Sequence, residues 1–516
     1  MHIGIDVGGT NTDAVLMSGS CALAAVKTNT TDDVTSGIVS ALEKLQRQHG
    51  FEPADVQAVM IGTTHFLNAL VEARRLAPTA ALRLGLPATS SLPPMTDWPD
   101  HLVKAIRGRH YLCRGGHEFD GRHIAELDEG EVRRAAADMA GHGVRSVAIT
   151  SVFSPINKEF EARAADIVRS EIPEISVSLS HEIGRIGLLE RENATVINAA
   201  LRELAGHIVD GLSSSLSAAG VQAPLYLSQN DGTLMDVDFA RRYPVATFAS
   251  GPTNSMRGAA LLSGLDTCAV VDVGGTTSDV GILRSGFPRE ATSEVTVAGI
   301  RTNFRMPDIL SVGMGGGSRV RTGPQELTIG PDSVGSGLQE RALVFGGDTL
   351  TATDIAVAAG RVEIGDPALV GHLDKGFVAA VLERIAMDVA ELVERMRTTA
   401  QSLPVVAVGG GSVLLPDRVE GCGEVHRPQN YAVANAVGAA IAQVSGEVDR
   451  IFPTPPGQRD SVLDGAKQEA VERAVATGAV PTSVSIVECE EIPLPYLPGN
   501  AARIRVKAVG TLALED

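Results

Sequence analysis

Residues 5–13 read IDVGGTNTD, and residues 271–279 repeat the pattern as VDVGGTTSD. Each copy predicts an apolar strand that ends in an aspartate, a tight Gly-Gly-Thr turn and a second strand, at 14–17 and at 280–283. A glycine pair lets the backbone bend so that successive N–H groups point at one anion. One such hairpin is a weak signal, whereas two copies far apart in the chain predict a nucleotide held between two related lobes.

Both copies carry side chains that suit a phosphate and a metal ion. Hydroxyl groups that can donate to phosphate oxygens lie at Thr10, Thr12, Thr276, Thr277 and Ser278. Asp6 and Asp272 end the first strand of each copy and provide the hard carboxylate oxygens that magnesium prefers. The sequence therefore predicts a magnesium–nucleotide site with a carboxylate from each copy.

Composition and charge narrow the class of protein. With 516 residues the chain is long enough for two or three domains, and its 44% hydrophobic content supports well-buried cores. The net charge of −18 argues against nucleic acid and anionic membranes as main partners, because phosphate backbones require clustered Lys and Arg. The sequence shows no apolar run of membrane-spanning length, no room for a signal peptide and no C-x-x-C pair among its five cysteines. We therefore expect a soluble, cytoplasmic protein with reduced thiols.

The order of predicted elements in the first half favours an α/β architecture. Strands alternate with helices, as in a largely parallel sheet that helices cover. A strand at 56–61 leads into Gly62-Thr63-Thr64, with Asn68 on the helix that follows, and such a turn often contacts ligands. A long helical pattern at 188–216 is expected to bridge to the second lobe, and a strand at 224–232 ends in polar groups that could contact a substrate.

The second half continues this alternation. Apolar residues at helical spacing predict an amphipathic helix at 382–396. A strand at 405–408 runs into Gly409-Gly410-Gly411-Ser412, where flat ligands can approach the backbone. A helix is predicted from about 431 to 443, and the tail, about 480 to 510, alternates like strands.

Other candidate motifs are weaker. The chain lacks G-x-x-x-x-G-K-[ST], which excludes the P-loop class, and it lacks a G-x-G-x-x-G fingerprint. The segment from His117 to His123 could suggest a metal site, but without the H-E-x-x-H spacing it is interpreted as a solvated hairpin. His65 fits a substrate contact and a histidine at a helix start equally well. Cys268 lies in an apolar strand and is expected in the core.

The two hairpins and the later stretch Val408-Gly409-Gly410-Gly411-Ser412 resemble the phosphate 1, phosphate 2 and adenosine elements of the actin-like ATPase clan, which holds sugar kinases and heat-shock chaperones. Within this clan the chain resembles the hydantoinase A / 5-oxoprolinase family. The stretches that carry this second resemblance are residues 4–13, Gly62-Thr63-Thr64 with Asn68, Ser180-His181-Glu182-Ile183 with Glu190-Arg191 and Asn198, Ser250-Gly251-Pro252, residues 272–279, Gly313-Met314-Gly315-Gly316-Gly317-Ser318, and Gly346-Gly347-Asp348 with Ala352-Thr353-Asp354.

The resemblance implies a two-lobed actin-like ATPase fold of the ribonuclease H-like type. We place the hydantoinase/oxoprolinase N-terminal lobe at 1–185 and the hydantoinase A-type lobe at 186–516, with a cleft that closes over magnesium–ATP by a hinge motion. The implied activity is the ATP-dependent opening of a cyclic amide such as a hydantoin, 5-oxoproline or another lactam. Magnesium–ATP would phosphorylate the amide oxygen, which makes the ring carbon open to attack by water.

The resemblance also assigns roles to individual residues. The implied catalytic residues are Asp6, Asp272 and Asp279, of which Asp6 and Asp272 would also hold the metal. The implied nucleotide-binding residues are Gly8, Gly9, Thr10, Asn11, Thr12, Gly274, Gly275, Thr276, Thr277, Gly315, Gly316, Gly409, Gly410, Gly411 and Ser412. The candidate substrate-binding residues are Thr63, Thr64, Asn68, His181, Asn230 and Asp231.

The chain departs from the family pattern in two respects. Asn11 stands where the family commonly has an aromatic residue, and larger members extend past the length seen here. Many members fuse to or pair with a second, metal-dependent subunit, so we expect a hydantoinase B-like partner and an oligomer. Two other functions are open at this point: a kinase of another small molecule, and a non-catalytic ATPase that activates a partner enzyme.

Overall fold

Two sheets of related topology form the framework of the protein. The structure, a computed structural model, describes residues 1–8, 11–29, 34–291, 295–322, 327–399, 401–419, 421–494, 497 and 500–514. Each sheet is built around one of the repeated hairpins, whose first strand also pairs in parallel with a later strand. This arrangement confirms the predicted α/β fold class. No helix within the described ranges is both long and apolar enough to cross a membrane.

The first sheet has its hairpin at the centre. Its elements at the start of the chain are β1 (His2–Val7), β2 (Asn11–Ser18), β3 (Cys21–Asn29), α1 (Val34–His49), β4 (Ala58–Thr63) and α2 (His65–Val71). β1, β2 and β3 form an antiparallel meander, and β4 lies parallel to β1. All residues of β1 are buried, as expected for a central strand that helices cover on both faces.

A smaller sheet is inserted after α2. Its elements are β5 (Thr79–Leu86), α3 (Asp100–Ala105), β6 (Arg109–Arg114), α4 (Glu129–Gly141), β7 (Ser146–Ser151), α5 (Glu159–Glu171) and β8 (Ser176–Leu179). The strands run parallel in the order β6-β5-β7-β8, and parallel neighbours require crossover connections. Buried Arg83 of β5 donates to both carboxylate oxygens of buried Glu192, at 2.7 and 2.5 Å, which fixes the insertion to the long helix that follows.

The chain then returns to the first sheet. It does so through α6 (Leu188–Ala218), β9 (Leu225–Ser228), β10 (Leu234–Asp236), α7 (Val237–Arg242) and α8 (Ser250–Ser263). β9 pairs in parallel with β4, which gives the order β10-β9-β4-β1-β2-β3. The helix predicted at 188–216 is confirmed as α6. The predicted lobe boundary between 185 and 186 stays a prediction, and the first sheet takes β9 and β10 from beyond it.

The second sheet repeats this topology around the second hairpin. The elements of this region are β11 (Cys268–Val273), β12 (Ser278–Arg284), β13 (Phe287–Pro288), β14 (Val295–Val297), β15 (Ile300–Thr302), β16 (Ile309–Val312), β17 (Ser318–Thr322), β18 (Leu327–Ser333), α9 (Leu338–Arg341), α10 (Ala352–Ala358), α11 (Lys375–Met396), β19 (Val405–Val408), β20 (Arg418–Val419) and β21 (Gly423–His426). β11 and β12 are antiparallel, and β19 lies parallel to β11 as β4 does to β1. The helix predicted at 382–396 is α11, which begins earlier because the Asp374 carboxylate caps it by accepting from the Phe377 N–H at 2.9 Å.

The described part of the chain ends in a small antiparallel sheet. Its elements and the helix before it are α12 (Ala434–Ala439), β22 (Gln443–Phe452), α13 (Arg459–Ala476), β23 (Ser485–Pro493) and β24 (Ala502–Thr511). β24 lies between β22 and β23, which confirms the strands predicted for the tail. The helix predicted from about 431 to 443 is wrong in its extent, because α12 has six residues and the chain is extended again from Gln443.

The short helices α8 and α12 pack closely against each other between the two sheets. A Cβ atom at Gly258 would overlap the carbonyl group of Ala434, and one at Gly438 would overlap the carbonyl group of Asn254. α12 also packs on β1, and α8 packs on β4 of the first sheet and on β11 and β19 of the second. Glycine at these two positions therefore lets one helix from each half of the chain meet at backbone distance.

Candidate active site

The two turns close with the same hydrogen bond. The Gly8 N–H donates to the Asn11 carbonyl at 3.0 Å, and the Gly274 N–H donates to the Thr277 carbonyl at 2.9 Å. Both bonds join residues at the same offset within the repeated motif. The duplication read from the sequence is therefore a duplication of backbone geometry.

Each hairpin sets two aspartates opposite each other, Asp6 with Asp13 and Asp272 with Asp279. Burial and the charge of Asp13 raise the pKa of Asp6 to about 6, and the charge of Asp272 adds to this effect. Burial, with a contribution from Asp272, raises the pKa of Asp279 to about 6. Burial also raises the pKa of Asp272, to which the charge of Asp13 contributes. The side chains of Asn254 and Ser255, adjacent residues of α8, bond to Asp6 and to Asp272, so one helix brings the two hairpins together. We call the region of these four aspartates the cleft.

Helices α8 and α12, which pack against each other between the two sheets, are called the junction helices below. Two of their asparagines hold the aspartates of the first hairpin. The amide of Asn435 in α12 donates to Asp6 Oδ2 at 3.0 Å and to Asp13 Oδ2 at 2.8 Å. The amide of Asn254 in α8 donates to Asp6 Oδ1 at 3.4 Å, and Lys27 Nζ lies 2.5 Å from Asp13 Oδ1. The amides orient carboxylate oxygens without cancelling their charge, so the cleft offers anionic oxygen ligands of the kind that Mg²⁺ prefers.

A glycine at or just past the end of the neighbouring parallel strand lies against Asp6, and another lies against Asp272. A Cβ atom at Gly62 would overlap Asp6 Oδ1, and a Cβ atom at Gly409 would overlap Asp272 Oδ1. Gly409 also has a φ of +82°, which other residues rarely adopt. The parallel strands β4 and β19 can therefore end against the carboxylates only because these two residues lack a side chain.

The predicted adenosine turn forms a short 3-10 helix, Gly410–Leu414, beside the second hairpin. A Cβ atom at Gly410 would meet no atom within 4 Å, whereas one at Gly411 would lie 2.6 Å from the Val273 side chain. The hydroxyl of buried Ser412 has no hydrogen-bond partner among the residues described. An open glycine beside an unused hydroxyl suits the binding of a nucleoside, and this role stays a prediction.

Gly315 and Gly316 pack against the second turn. The Gly316 N–H donates to the Gly274 carbonyl at 3.0 Å, and the Gly315 N–H donates to Ser318 Oγ at 2.9 Å. Both amides are thus engaged within the protein, where they support the turn. Their predicted contact with the nucleotide stays a prediction.

The other predicted nucleotide contacts lie in or beside the turns. The residues there that are partly or fully exposed are Gly8, Asn11, Gly274, Gly275, Thr276 and Thr277. Thr12 is buried. Gly9 and Thr10 lie outside the described residues, so their predicted phosphate contacts stay predictions.

The predicted substrate residues divide into two groups, of which Thr63, Thr64 and Asn68 lie where β4 leads into α2. This turn directly follows the glycine that contacts Asp6, so it borders the cleft. Thr63 Oγ1 lies 2.6 Å from Nδ1 of His65, which explains His65 as a partner of the turn. Asn68 is exposed and Thr64 half-buried.

The second group, His181, Asn230 and Asp231, lines a separate cavity of about 580 Å³. None of the four cleft aspartates is among the described residues that line it. The Asn230 side chain is engaged, since its amide donates to the Val245 carbonyl at 3.0 Å. Burial raises the pKa of Asp231, but the ammonium group of Lys507, 2.7 Å away, more than offsets this and holds the pKa well below its usual range. Asn230 and Asp231 therefore form a fixed wall of the cavity, and their contact with a substrate stays a prediction.

Sequence reasoning missed three residues of the cleft: Asp13, Asn254 and Asn435. The signal for Asp13 was available, because it matches Asp279 at the end of the repeated motif. The two asparagines occur in helices that lie far from Asp6 in sequence, and no local pattern distinguishes them from other polar helix residues.

The chain is similar in sequence to known proteins. Two family models match, one described as the hydantoinase/oxoprolinase N-terminal region over residues 2–172 and one described as hydantoinase/oxoprolinase over residues 191–371. The alpha subunit of caprolactamase from Pseudomonas jessenii is 27% identical over 470 residues, which covers 85% of this chain and 65% of that protein. The gamma subunit of acetophenone carboxylase from Aromatoleum aromaticum is 28% identical over 398 residues, 70% of this chain and 53% of that protein.

The fold has a solved counterpart. The crystal structure of ATP-dependent caprolactamase from Pseudomonas jessenii superposes with a TM-score of 0.78 at 19% identity, over 100% of this chain and 88% of that chain. At this identity the likeness shows the fold alone. The chain spans between about half and two thirds of the length of the two relatives named above.

Proposed function

Since the chain belongs to the hydantoinase/oxoprolinase family, we propose that it is an ATP-dependent enzyme, or the ATP-using subunit of one, that phosphorylates and opens a cyclic amide. The substrate class is a hydantoin, 5-oxoproline or another lactam. The observation that carries the proposal is the pair of matching turns whose aspartates, Asp6 and Asp272, bond to adjacent residues of one helix, Asn254 and Ser255. Such a cleft can hold the metal and the phosphates of one nucleotide between two halves of the protein.

The residues present fit magnesium and ATP. Asp6 and Asp272 offer buried carboxylate oxygens, and burial is the largest cause of the raised pKa of each, so a bound cation would offset the cost of their charge. The Gly274–Thr277 turn exposes backbone, and Ser412 provides a buried hydroxyl without a partner among the described residues. We assign Asp6 and Asp272 to the metal, and the turns to the phosphates.

Bound magnesium–ATP would supply a phosphoryl group for the oxygen of an otherwise unreactive amide. The residues of this chain contribute position and charge. Asn254 and Asn435 hold Asp6 in one orientation, and Ser311 donates to Asp279. Ionised Asp279, with its raised pKa, is suited to accept a proton from an attacking water at near-neutral pH. The predicted residues Thr63 and Thr64, beside Asp6, would orient the amide.

We also propose a partner chain. The relatives named above are an alpha and a gamma subunit, names that imply assembly with other chains. A hydantoinase B-like subunit would then complete hydrolysis of the activated amide. The cavity of about 580 Å³ lined by His181 has none of the four cleft aspartates among its described lining residues.

A second candidate is activation of a ketone for carboxylation. The chain is 28% identical to the acetophenone carboxylase subunit and 27% identical to the caprolactamase subunit, so these similarities support ketone activation about as much as amide opening. Both reactions would require transfer of a phosphoryl group to a carbonyl oxygen, which the same cleft can serve. The products distinguish them, since only carboxylation fixes labelled bicarbonate.

The test is ATP hydrolysis by the full chain, with and without any co-purifying protein, against hydantoins, 5-oxoproline, lactams, and ketones with labelled bicarbonate. We expect a lactam to stimulate ADP release with stoichiometric ring-opened product, detected by mass spectrometry. A phosphorylated product that accumulates would show a kinase instead, and ATP turnover that responds only to a protein would show an activator.

Asp272→Asn provides the matched loss of function. It removes a charge from the cleft at constant size, so turnover should fall by more than about 100-fold while the fold is kept. Asp460→Asn is the control, because that side chain is 91% exposed on α13. Normal ATP turnover in Asp272→Asn would contradict the assignment of the site.

A further inference from the structure

A hairpin in the inserted sheet holds two imidazoles side by side. His117 and His123 pair opposite each other as an antiparallel bridge. The Glu118 N–H donates to the Arg122 carbonyl at 2.7 Å, and the Ile124 N–H donates to a carbonyl on the opposite strand at 2.9 Å. The hairpin expected from the sequence is therefore present, and its backbone bonds fix the separation of the two rings.

The structure differs from the sequence expectation in the burial of His117. Its side chain is 0% exposed, yet neither ring nitrogen has a hydrogen-bond partner within the described residues. A buried polar group without a partner is costly and in native proteins calls for an explanation, such as a bound ion.

Glu159 completes the cluster. It is the first residue of α5, and its carboxylate and the two imidazoles offer ligand atoms that all lie within 4.8 Å of one another. The ring of Phe160, the next residue, lies 4.3 Å from the His117 ring and 4.7 Å from the His123 ring, between centroids, and holds both in place. His123 and Glu159 are exposed, so an ion can enter from solvent.

We propose that His117, His123 and Glu159 form a zinc site that clamps this hairpin to the start of α5. Two imidazoles and one carboxylate are a common zinc ligand set, and they leave a fourth position for water or another donor. Imidazole ligands favour zinc over magnesium, which separates this site from the aspartates of the cleft. Nδ1 of His123 lies 3.0 Å from Glu126 Oε1, an outer carboxylate of the kind that orients a metal-binding histidine.

The position of the clamp gives it a structural consequence. Two residues beyond Glu159, buried Glu161 accepts from the Ser151 N–H at 2.8 Å and lies 2.6 Å from Nδ1 of His181. His181 lines the cavity of about 580 Å³. Fixing the first turn of α5 would therefore also fix the residue that orients one wall of that cavity.

The test is zinc binding by the full chain after treatment with a chelator. Affinity is measured by competition with a chromophoric chelator in excess Mg²⁺, which occupies the cleft carboxylates. Cobalt substituted for zinc reports a four-coordinate site by its visible absorption. His123→Ala and Glu159→Gln change exposed residues, and His142→Ala and Glu171→Gln are matched controls at exposed positions of the same inserted region.

We expect about one zinc ion per chain in the wild type and in both controls. His123→Ala and Glu159→Gln should each weaken binding by more than about tenfold, the lower end of losses seen for residues that merely support a metal ligand. Zinc should also raise the Tm of the wild type and the controls more than that of the two variants. Zinc binding of equal strength in the two variants, or no binding at micromolar zinc, would overturn the proposal.

Discussion

Asp6→Asn is expected to stabilise the free protein while it abolishes nucleotide-dependent activity. Asp6 is 5% exposed, and its pKa is raised from 3.8 to about 6, first by burial and then by the charge of Asp13. At neutral pH the folded protein therefore keeps an ionised carboxylate in a place that disfavours its charge. Asparagine has the same shape without the charge, so it removes this unfavourable term.

The magnitude follows from the pKa. A rise of about 2 units corresponds to about 3 kcal/mol, because one unit is worth about 1.4 kcal/mol. The amide of Asn435, 3.0 Å from Asp6 Oδ2, can donate to the oxygen that asparagine retains. Asn254 Oδ1 is buried without a partner among the described atoms, and it can accept from the new amide once the Asn254 side chain turns over. With about 1 kcal/mol allowed for altered hydrogen-bond geometry, the net gain is about 2 kcal/mol.

The gain should depend on pH with a defined sign. The folded-state pKa is above the unfolded value of 3.8, so the folded state binds the proton more tightly. Below the unfolded pKa, the Asp6 side chain is protonated in both states and does not lower the free energy of unfolding. The loss of unfolding free energy grows as pH rises to about 6 and is constant above that value. The stabilisation by Asp6→Asn should therefore be full at pH 7.5 and much smaller near pH 4.

Scanning calorimetry without metal or nucleotide provides the measurement. For a chain of this length a gain of about 2 kcal/mol corresponds to a rise in Tm of about 2 °C, from an unfolding entropy of about 2.1 cal/mol/K per residue. Asp6→Ala is the control for shape, since it removes the acceptor of the Asn254 amide and one of the two acceptors of the Asn435 amide, and it should lower Tm. A Tm for Asp6→Asn below that of the wild type at pH 7.5 would refute the reasoning.

Three further predictions concern the cleft, the junction and the insertion. Mg²⁺ affinity of the free protein should fall by about tenfold per pH unit below about pH 6, where the metal-binding carboxylate of Asp6 takes up a proton. Titration calorimetry that shows no change between pH 7 and pH 5 would contradict it. Gly438→Ala should lower Tm by several degrees through backbone overlap, whereas Gly465→Ala, where a Cβ atom meets no atom within 4 Å, should leave it equal or higher. Arg83→Leu should cost about 3–5 kcal/mol of unfolding free energy by leaving Glu192 unpaired. In urea denaturation, the double variant Arg83→Leu with Glu192→Leu should recover much of that loss. A double variant as unstable as Arg83→Leu alone would argue against this.

The repeated motif predicted the framework of this fold because its information is local. Each copy contains both strands and the turn between them, so the antiparallel pairs of β1 with β2 and of β11 with β12 follow from nine residues. The parallel partners β4 and β19 were also recognisable, since each is an apolar run that ends in glycine-rich sequence. The residues at which helices begin were less predictable. α11 begins at Lys375 because of a capping aspartate, which lies outside the apolar pattern that defined the helix.

Contacts between distant segments were beyond the sequence. Nothing near Asn435 indicates that its amide reaches Asp6 and Asp13, because that contact depends on how α12 packs on β1. The burial of His117 was hidden for the same reason: its segment is polar, and only the packing of the hairpin on Phe160 removes the ring from water. Local patterns determine elements, whereas these environments arise from tertiary packing.

The junction helices α8 and α12 connect the two lobes beside the cleft. α8 packs on β4 of the first sheet and on β11 and β19 of the second, and its Asn254 donates to Asp6. α12 packs on β1 and meets α8 at Gly258 and Gly438. Since Asn254 of α8 donates to Asp6 and α8 meets α12 at backbone distance, a shift of these helices during closure would move a hydrogen-bond partner of Asp6. We therefore expect closure of the two lobes and the orientation of the metal-binding carboxylate to be one motion. A nucleotide that draws the two turns together would then also set Asp6 in its working position.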